Sequence, residues 1–326
     1  MRFAVYGAGA IGAYMGAKLS AAGEDVALIA RGPHLEAIRE NGVRIRSSDG
    51  DFDARLMATN DPNEIGKVDV VVLSVKAHGL TAIAPLLAPM LGPNTIVLPA
   101  QNGIPWWYFQ SHGGCWEGTQ LESVDPGGII TKHIATERIV GCVVYPAATI
   151  VEPGIIHHEE GNRFSIGELD GSSSSRCKEL AAAIGSSGLR APVRSNIRQE
   201  IWVKLLGNLA FNPVSALTKA SMVEIAMDPD ARSVVQTMME EAYAVAKALG
   251  VEIPISIEQR LAGAQKVGEH KTSMLQDVEA AKPIEIGGLV GSVLELGSLL
   301  GIPMPYTNTV YACTKLLAQK MIVGTA

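Results

Sequence analysis

The sequence predicts an α/β fold, an N-terminal doubly wound parallel sheet followed by an all-helical C-terminal domain. Three observations carry that reading. Short apolar runs alternate with helical stretches through the first half, a glycine-rich turn joins the first strand to the first helix, and strand signals stop after Arg194.

The elements follow in order. Arg2 to Tyr6 is a short apolar run, and Gly7-Ala8-Gly9-Ala10-Ile11-Gly12 comes directly after it. A helix is expected from about Ala10 to Ala22, closed by Gly23, and a second strand over Asp25 to Ala30. Asp69 to Val75 is almost unbroken in apolar residues, as a strand covered on both faces should be, and Thr95 to Leu98 is another such run. From Arg138 to Gly167 the pattern becomes short strands, including Ile139 to Val144 and Arg163 to Ile166, with a turn at Gly154. Gly188 to Arg194 is the last strand-like segment. Beyond it, helices are expected from Asn196 as a cap, from Asp228-Pro229 to near Gly250, from Glu285 to Leu300 and from Tyr306 to Val323.

At 326 residues the chain suits two domains, expected over 1–195 and 196–326. Hydrophobic residues at 47% and charged ones at 18% provide for a core and exclude global disorder. With 33 acidic against 27 basic residues, the net charge of -6 argues against a nucleic-acid surface, yet leaves room for small anions held by a few local cations. Four scattered cysteines, with no Cys-x-x-Cys pair, point away from a disulfide framework or structural zinc. Adjacent His157 and His158 in a strand would face opposite ways, so no metal site is expected. There is neither a signal-peptide pattern nor an apolar run of spanning length, and a soluble cytoplasmic protein is the expectation.

Gly-x-Gly-x-x-Gly by itself is weak evidence, but here it lies between a strand and a helix with a second strand at the right distance. Gly7 would allow the tight turn, Gly9 the approach of a pyrophosphate to the backbone, and Gly12 the packing of helix on sheet. The helix N-terminus would face the anion. Where an NAD site usually carries an acid at the end of the second strand, this chain has Ala30-Arg31-Gly32. An acid would repel the additional phosphate of NADP and Arg31 would bind it, so NADP(H) is expected, with Lys76 as a second cation. Asn102, in Gln101-Asn102-Gly103 after a parallel strand, stands where open sheets place ligands, although Asn-Gly is equally a turn signal.

Two further features stand out. Trp106-Trp107-Tyr108-Phe109 opens a stretch of about 104–134 that concentrates aromatics in a chain only 5% aromatic, which suggests a flap over a pocket, a subunit contact or a small satellite cluster. Lys204, Asn208 and Asn212 recur every fourth residue and share one face of a helix, as the lining of a polar cleft would; Pro213 should then break or kink that helix. Taken alone, Glu285 is an ordinary first-turn acid and Ser273 an ordinary cap.

These segments together resemble the ketopantoate reductases (2-dehydropantoate 2-reductases). The matching stretches are Gly7 to Gly12 (with Ala8, Ala10 and Ile11 between the glycines), Arg31, Ser74-Val75-Lys76-Ala77 and Gln101-Asn102-Gly103. In the second half they are Trp202-Val203-Lys204-Leu205, Asn208, Asn212-Pro213, Ser273 to Asp277 and Glu285-Ile286. The resemblance implies a Rossmann-type domain binding NADP(H) through Gly7 to Gly12, Arg31, Lys76 and Asn102. It implies reduction of a small 2-keto acid in a cleft beside a helical domain, as in pantothenate biosynthesis. Lys204 would be the general acid, with Glu285 binding the substrate hydroxyl and holding the lysine's charge. Asn102, Asn208, Asn212 and Ser273 would orient the substrate. The family pattern is shorter after Gly103 and lacks the Trp106 to Phe109 cluster, so 104–134 reads as an insertion. The competing readings are a sister oxidoreductase acting on a different 2-keto or hydroxy acid, and an NADP-binding regulator without turnover. The final helices are apolar enough for a homodimer interface, though a helix packed internally reads the same way.

Overall fold

Val70, Val71, Val72, Phe3, Ala4 and Val5 are all fully buried, and they lie on neighbouring parallel strands. In the computed structural model, which describes residues 1–266 and 268–323, contacts divide the chain into two compact units. The first comprises Met1–Gln101, Trp107–Gln120 and Gly127–Ile197; the second comprises Asn102–Trp106, Leu121–Pro126 and Arg198–Ala326.

The first unit begins with β1 (Arg2–Tyr6), α1 (Ala10–Ala21), β2 (Asp25–Ile29), α2 (Gly32–Asn41), β3 (Val43–Ser47), β4 (Phe52–Ala54), β5 (Met57–Thr59), β6 (Val68–Leu73), α3 (Leu80–Ile83) and β7 (Leu91–Pro99). It continues with α4 (Ile129–His133), β8 (Gly141–Val144), β9 (Ala147–Glu152), β10 (Ile155–Glu160), β11 (Phe164–Gly167) and α5 (Ser175–Ser186). Five strands form a wholly parallel sheet in the order β5-β2-β1-β6-β7, with Phe3 opposite both Val26 and Val70.

A second sheet, ordered β4-β3-β10-β9, was not foreseen from the sequence. It covers α1 from the other side: α1 touches β1 and β2 of the first sheet and β3, β4, β9 and β10 of the second. Gly16 makes the inner contact close, since a Cβ there would stand 2.6 Å from Leu28 Cδ2. On the outer face Tyr14 stacks on His158, with ring centroids 4.4 Å apart. Gly154, at φ +79°, makes the expected turn between β9 and β10. The first helix is therefore buried all round, and the cradle at its start rests on a rigid base.

The aromatic stretch corrects the expectation of a flap or a subunit contact. Trp106, Trp107, Tyr108 and Phe109 are between 0% and 4% exposed. Tyr108 and Phe109 meet edge to face at 5.0 Å, and the Trp107 ring fills the place that a side chain on Gly141 would take. These rings form core, as burial of such large apolar surfaces favours.

The second unit holds α6 (Ile197–Thr218, counted here although it starts at the last residue of the first unit), α7 (Met222–Met227), α8 (Pro229–Ala248), α9 (Ile257–Lys266), α10 (Ser273–Glu279), α11 (Ser292–Leu300) and α12 (Pro305–Val323). A π-helical turn, Gly287–Gly291, leads into α11. Pro213 does not end α6, which runs on to Thr218; the proline ring sits in a buried stretch of the helix. Thr272 rather than Ser273 caps α10, accepting a hydrogen bond from the Leu275 N–H at 3.2 Å. Among the described residues no helix is long and apolar enough to cross a membrane, and no group of side chains could hold a metal ion. The four cysteines are free thiols.

One ion pair with a buried carboxylate ties α5 to the end of β11. Glu168, 5% exposed, accepts from Arg176 Nε at 2.8 Å and Nη2 at 2.6 Å and from Ser174 Oγ at 2.5 Å. Burial by itself would raise its carboxyl, but the bonds from Arg176 and Ser174 outweigh burial and hold it below the usual range. A carboxyl lowered in the folded state stabilises above the unfolded value near 4.3 and loses that contribution as pH falls through the lower folded value. Glu168→Gln should therefore cost about 2 kcal/mol at neutral pH. Urea melts at pH 7 and at successively lower pH should show the gap closing in acid; a gap independent of pH would refute this account of the pair.

Candidate active site

In the first unit the chain leaves β1 at Tyr6 and turns at Gly7, whose φ is +102°. The N–H groups of Gly7 and Ala8 donate to Ile29 O at 3.1 and 2.9 Å, and the Gly9 N–H donates to Gly7 O at 2.7 Å, so the turn is tied to the end of β2. The three glycines meet different surroundings. A Cβ on Gly7 would lie 2.7 Å from Val75 N, and one on Gly12 would collide with Gly7 O and Ser74 Oγ. A Cβ on Gly9 would meet nothing within 4 Å. Gly7 and Gly12 are needed for the fold of the turn, whereas Gly9 leaves its outer side open.

Residues 74 and 75 belong to this turn and not to the strand predicted over Asp69 to Val75. After β6 ends at Leu73, Ser74 donates through its N–H to Tyr6 O at 2.9 Å and through Oγ to Gly7 O at 2.7 Å. Within the motif, Ala8 is buried and Ala10 and Ile11 are half-buried as α1 begins. The first turn of α1 holds no acidic residue and Gly9 caps it without a side chain, so its N–H groups meet no fixed negative charge. These features fit a dinucleotide pyrophosphate.

Arg31 lies two residues past the end of β2, is exposed, and is the residue before α2. Burial raises the Tyr6 hydroxyl while the positive charge of Arg31 opposes the rise. Lys76 is half-buried and precedes the short helical turn at Ala77–Gly79.

The second unit brings Asn102 and Lys204 together: Lys204 Nζ donates to Asn102 Oδ1 at 2.6 Å. Asn102 therefore sits with the helices and accepts a charge-assisted bond from a half-buried ammonium. Its loop is clamped. Gly103, at φ +92°, lies against Gly288 so closely that a Cβ would collide with the Gly288 carbonyl, and the Ile104 N–H donates to that same oxygen at 3.1 Å. Ser292, fully buried, donates to it as well at 2.7 Å. Further on, Glu295 accepts from the N–H groups of Glu122 and Ser123 at 2.7 and 2.9 Å.

Other predicted residues fall along the same unit. Asn208 is half-buried and Asn212 is 4% exposed, one and two turns along α6 from Lys204. Among the described residues neither amide makes a side-chain hydrogen bond. Glu285 is half-buried and its carbonyl accepts from Leu289 N at 3.3 Å, opening the helical turn that carries Gly288. Ser273 is exposed at the first position of α10. Sequence reasoning missed the clamp on Gly288 and the role of Ser74. The paired glycines at 287 and 288 were its one visible sign, but the long-range partner was not legible.

Comparison with known proteins adds a second line. Two family models match, ketopantoate reductase PanE/ApbA over residues 3–106 and ketopantoate reductase PanE/ApbA C terminal over residues 196–318. A 2-dehydropantoate 2-reductase from Mesorhizobium japonicum is 49% identical over 319 residues, covering 98% of each chain. That end-to-end match leaves an insertion near 104–134 no net excess of length to account for relative to that protein. A solved structure of a ketopantoate reductase candidate from Ralstonia solanacearum superposes with a TM-score of 0.93 at 40% identity, over 98% of both chains. A D-mandelate dehydrogenase solved with NADH and anilino(oxo)acetate shares the fold, with a TM-score of 0.84 at 23% identity over 98% of this chain and 99% of that one.

The open side of Gly9 yields a clean test. Gly9→Val should fold, with a loss of about 1 kcal/mol at the helix cap, and weaken dinucleotide binding by about tenfold or more, because its side chain would occupy the phosphate's place. Fluorescence titration with NADPH checks this; unchanged affinity would exclude the turn as the phosphate cradle.

Proposed function

The chain belongs to the ketopantoate reductase PanE/ApbA family, and from that membership we propose that it reduces a 2-keto acid to the 2-hydroxy acid with NADPH, 2-dehydropantoate being its substrate. The observation that carries this reading is the Lys204 ammonium held at 2.6 Å by a neutral amide, on a helix with two more amides in line.

The first unit's glycine turn would hold the dinucleotide through the N–H groups at the start of α1, with Gly9 giving the pyrophosphate room. Arg31 would pair with the 2'-phosphate, with Lys76 beside it, and Asn102 is a further candidate contact to the nicotinamide. NADPH, when bound, supplies the hydride. The remaining work falls to side chains.

As hydride reaches the carbonyl carbon, negative charge gathers on oxygen. A positioned ammonium stabilises that charge and then supplies the proton. Asn102 accepts from one of the three Lys204 N–H donors. Because an amide does not accept a proton under these conditions, Asn102 fixes the ammonium without competing for it. Asn208, Asn212 and Ser273 would orient the substrate by hydrogen bonds. Glu285 would bind its hydroxyl and favour the charged form of the lysine.

Three experiments test the assignment. Steady-state NADPH oxidation against a panel of 2-keto acids should be fastest with 2-dehydropantoate; efficient turnover of another acid with none of 2-dehydropantoate would make this a sister enzyme, and tight NADPH binding without any turnover would make it a regulator. On the preferred substrate Lys204→Ala should lower kcat by about a thousandfold, within the range of general acid catalysis, while NADPH affinity stays within twofold. A wild-type rate would remove Lys204 from the mechanism. Arg31→Ala should weaken NADPH by about tenfold or more and NADH hardly at all, as loss of a charge-assisted phosphate bond requires. Equal weakening of both would contradict the 2'-phosphate contact.

A further inference from the structure

We propose that Arg260 recognises the substrate's carboxylate, in a niche that Gly207 opens beside the general acid. The inference rests on the 2-keto acid reading above and adds to it the group that tells an acid from its neutral analogues.

Gly207 is three residues after Lys204 on α6, so it neighbours Lys204 around the helix, on the side away from Asn208 and Asn212. It has no conformational need to be glycine, since it lies inside a regular helix with no positive φ. What its missing side chain provides is space. Nη2, Nε and Cζ of Arg260, on α9, occupy the region where a Cβ would project, with Nε 2.5 Å and Cζ 2.8 Å from the Cβ position. The half-buried guanidinium therefore rests directly on the backbone of α6, about one helical turn from the root of Lys204.

That placement suits an anion in a particular way. The Lys204 ammonium has to meet the carbonyl oxygen where charge develops, so it cannot also serve as the sole partner of the carboxylate. Asn102, Asn208 and Asn212 are neutral. A planar guanidinium offers five donors in a fork that matches a carboxylate, and it can keep a protein partner on one edge while presenting another. In a 2-keto acid the carboxylate is bonded directly to the carbonyl carbon, so the two cations are set to address adjacent groups of one small molecule. Arg260 would act in binding, whereas Lys204 would act in the chemical step.

The test uses full-length protein, NADPH, the 2-keto acid the wild type turns over best, and the primary carboxamide of that acid. Gly207→Ala puts a methyl group where the guanidinium lies; only the mobile end of Arg260 must shift, so the fold should survive. Arg260→Gln removes the charge. Both variants should raise KM for the acid by about tenfold to a hundredfold, the range of a charge-assisted bond, with kcat falling less than threefold and KM for NADPH unchanged. The carboxamide, reduced poorly by the wild type, should show the same KM in all three proteins. A KM for the acid that moves in neither variant would overturn the assignment, as would equal KM shifts for acid and amide, which mark a structural effect. These outcomes leave the reductase reading intact where the wild type turns over the acid; absence of turnover of any 2-keto acid by the wild type would remove both.

Discussion

The candidate site depends on one contact, the hydrogen bond from the Lys204 ammonium to the Asn102 side chain. A lysine side chain has four rotatable bonds and loses about 2 kcal/mol of rotamer freedom when fixed, so a partner of matched polarity must hold it. Asn102 does so only because its own loop is held. The carbonyl of Gly288 accepts from Ile104 and from Ser292, and Gly103 permits the close approach that these bonds need. The π-helical turn at Gly287–Gly291 is what presents that carbonyl, and π turns inside helices often occur at functional positions. The residue that opens this helical turn is Glu285, so the element that carries the carboxylate also anchors the loop that holds the lysine.

Glycine is used in this chain for two different ends. Gly7 and Gly103 take backbone conformations with positive φ and lie against other backbone, so any side chain there is excluded twice over. Gly9 and Gly207 are ordinary in conformation and matter for the volume they leave. At Gly9 that volume is open; at Gly207 a guanidinium fills it. The two kinds respond differently to substitution. Changes at the first kind strain the fold, while changes at the second report on what the vacated space holds.

Much of this was legible in the residues. Unbroken apolar runs such as Val70 to Leu73 mark strands buried on both faces, and the glycine turn between β1 and α1 is a local pattern that survives in the structure. The Lys204, Asn208 and Asn212 stripe follows from helical periodicity alone. What escaped was not local. The strand Val43 to Ser47 alternates buried and half-exposed residues in the strand period, but its parallel partner, Ile155 to His158, lies more than a hundred residues away. The aromatic cluster looked like a surface device because composition reveals concentration and not burial. The return of Asn102–Trp106 and Leu121–Pro126 to the helical unit is set by Gly288 and Glu295, which no spacing rule connects to them.

The central claim is that Asn102 keeps the Lys204 ammonium in place for proton donation. The most direct measurement is kcat of Asn102→Ala at saturating NADPH and 2-keto acid, beside the wild type. A loss of about tenfold or more, as misplacement of a catalytic group produces, is the predicted result. A kcat equal to the wild type's would contradict the account.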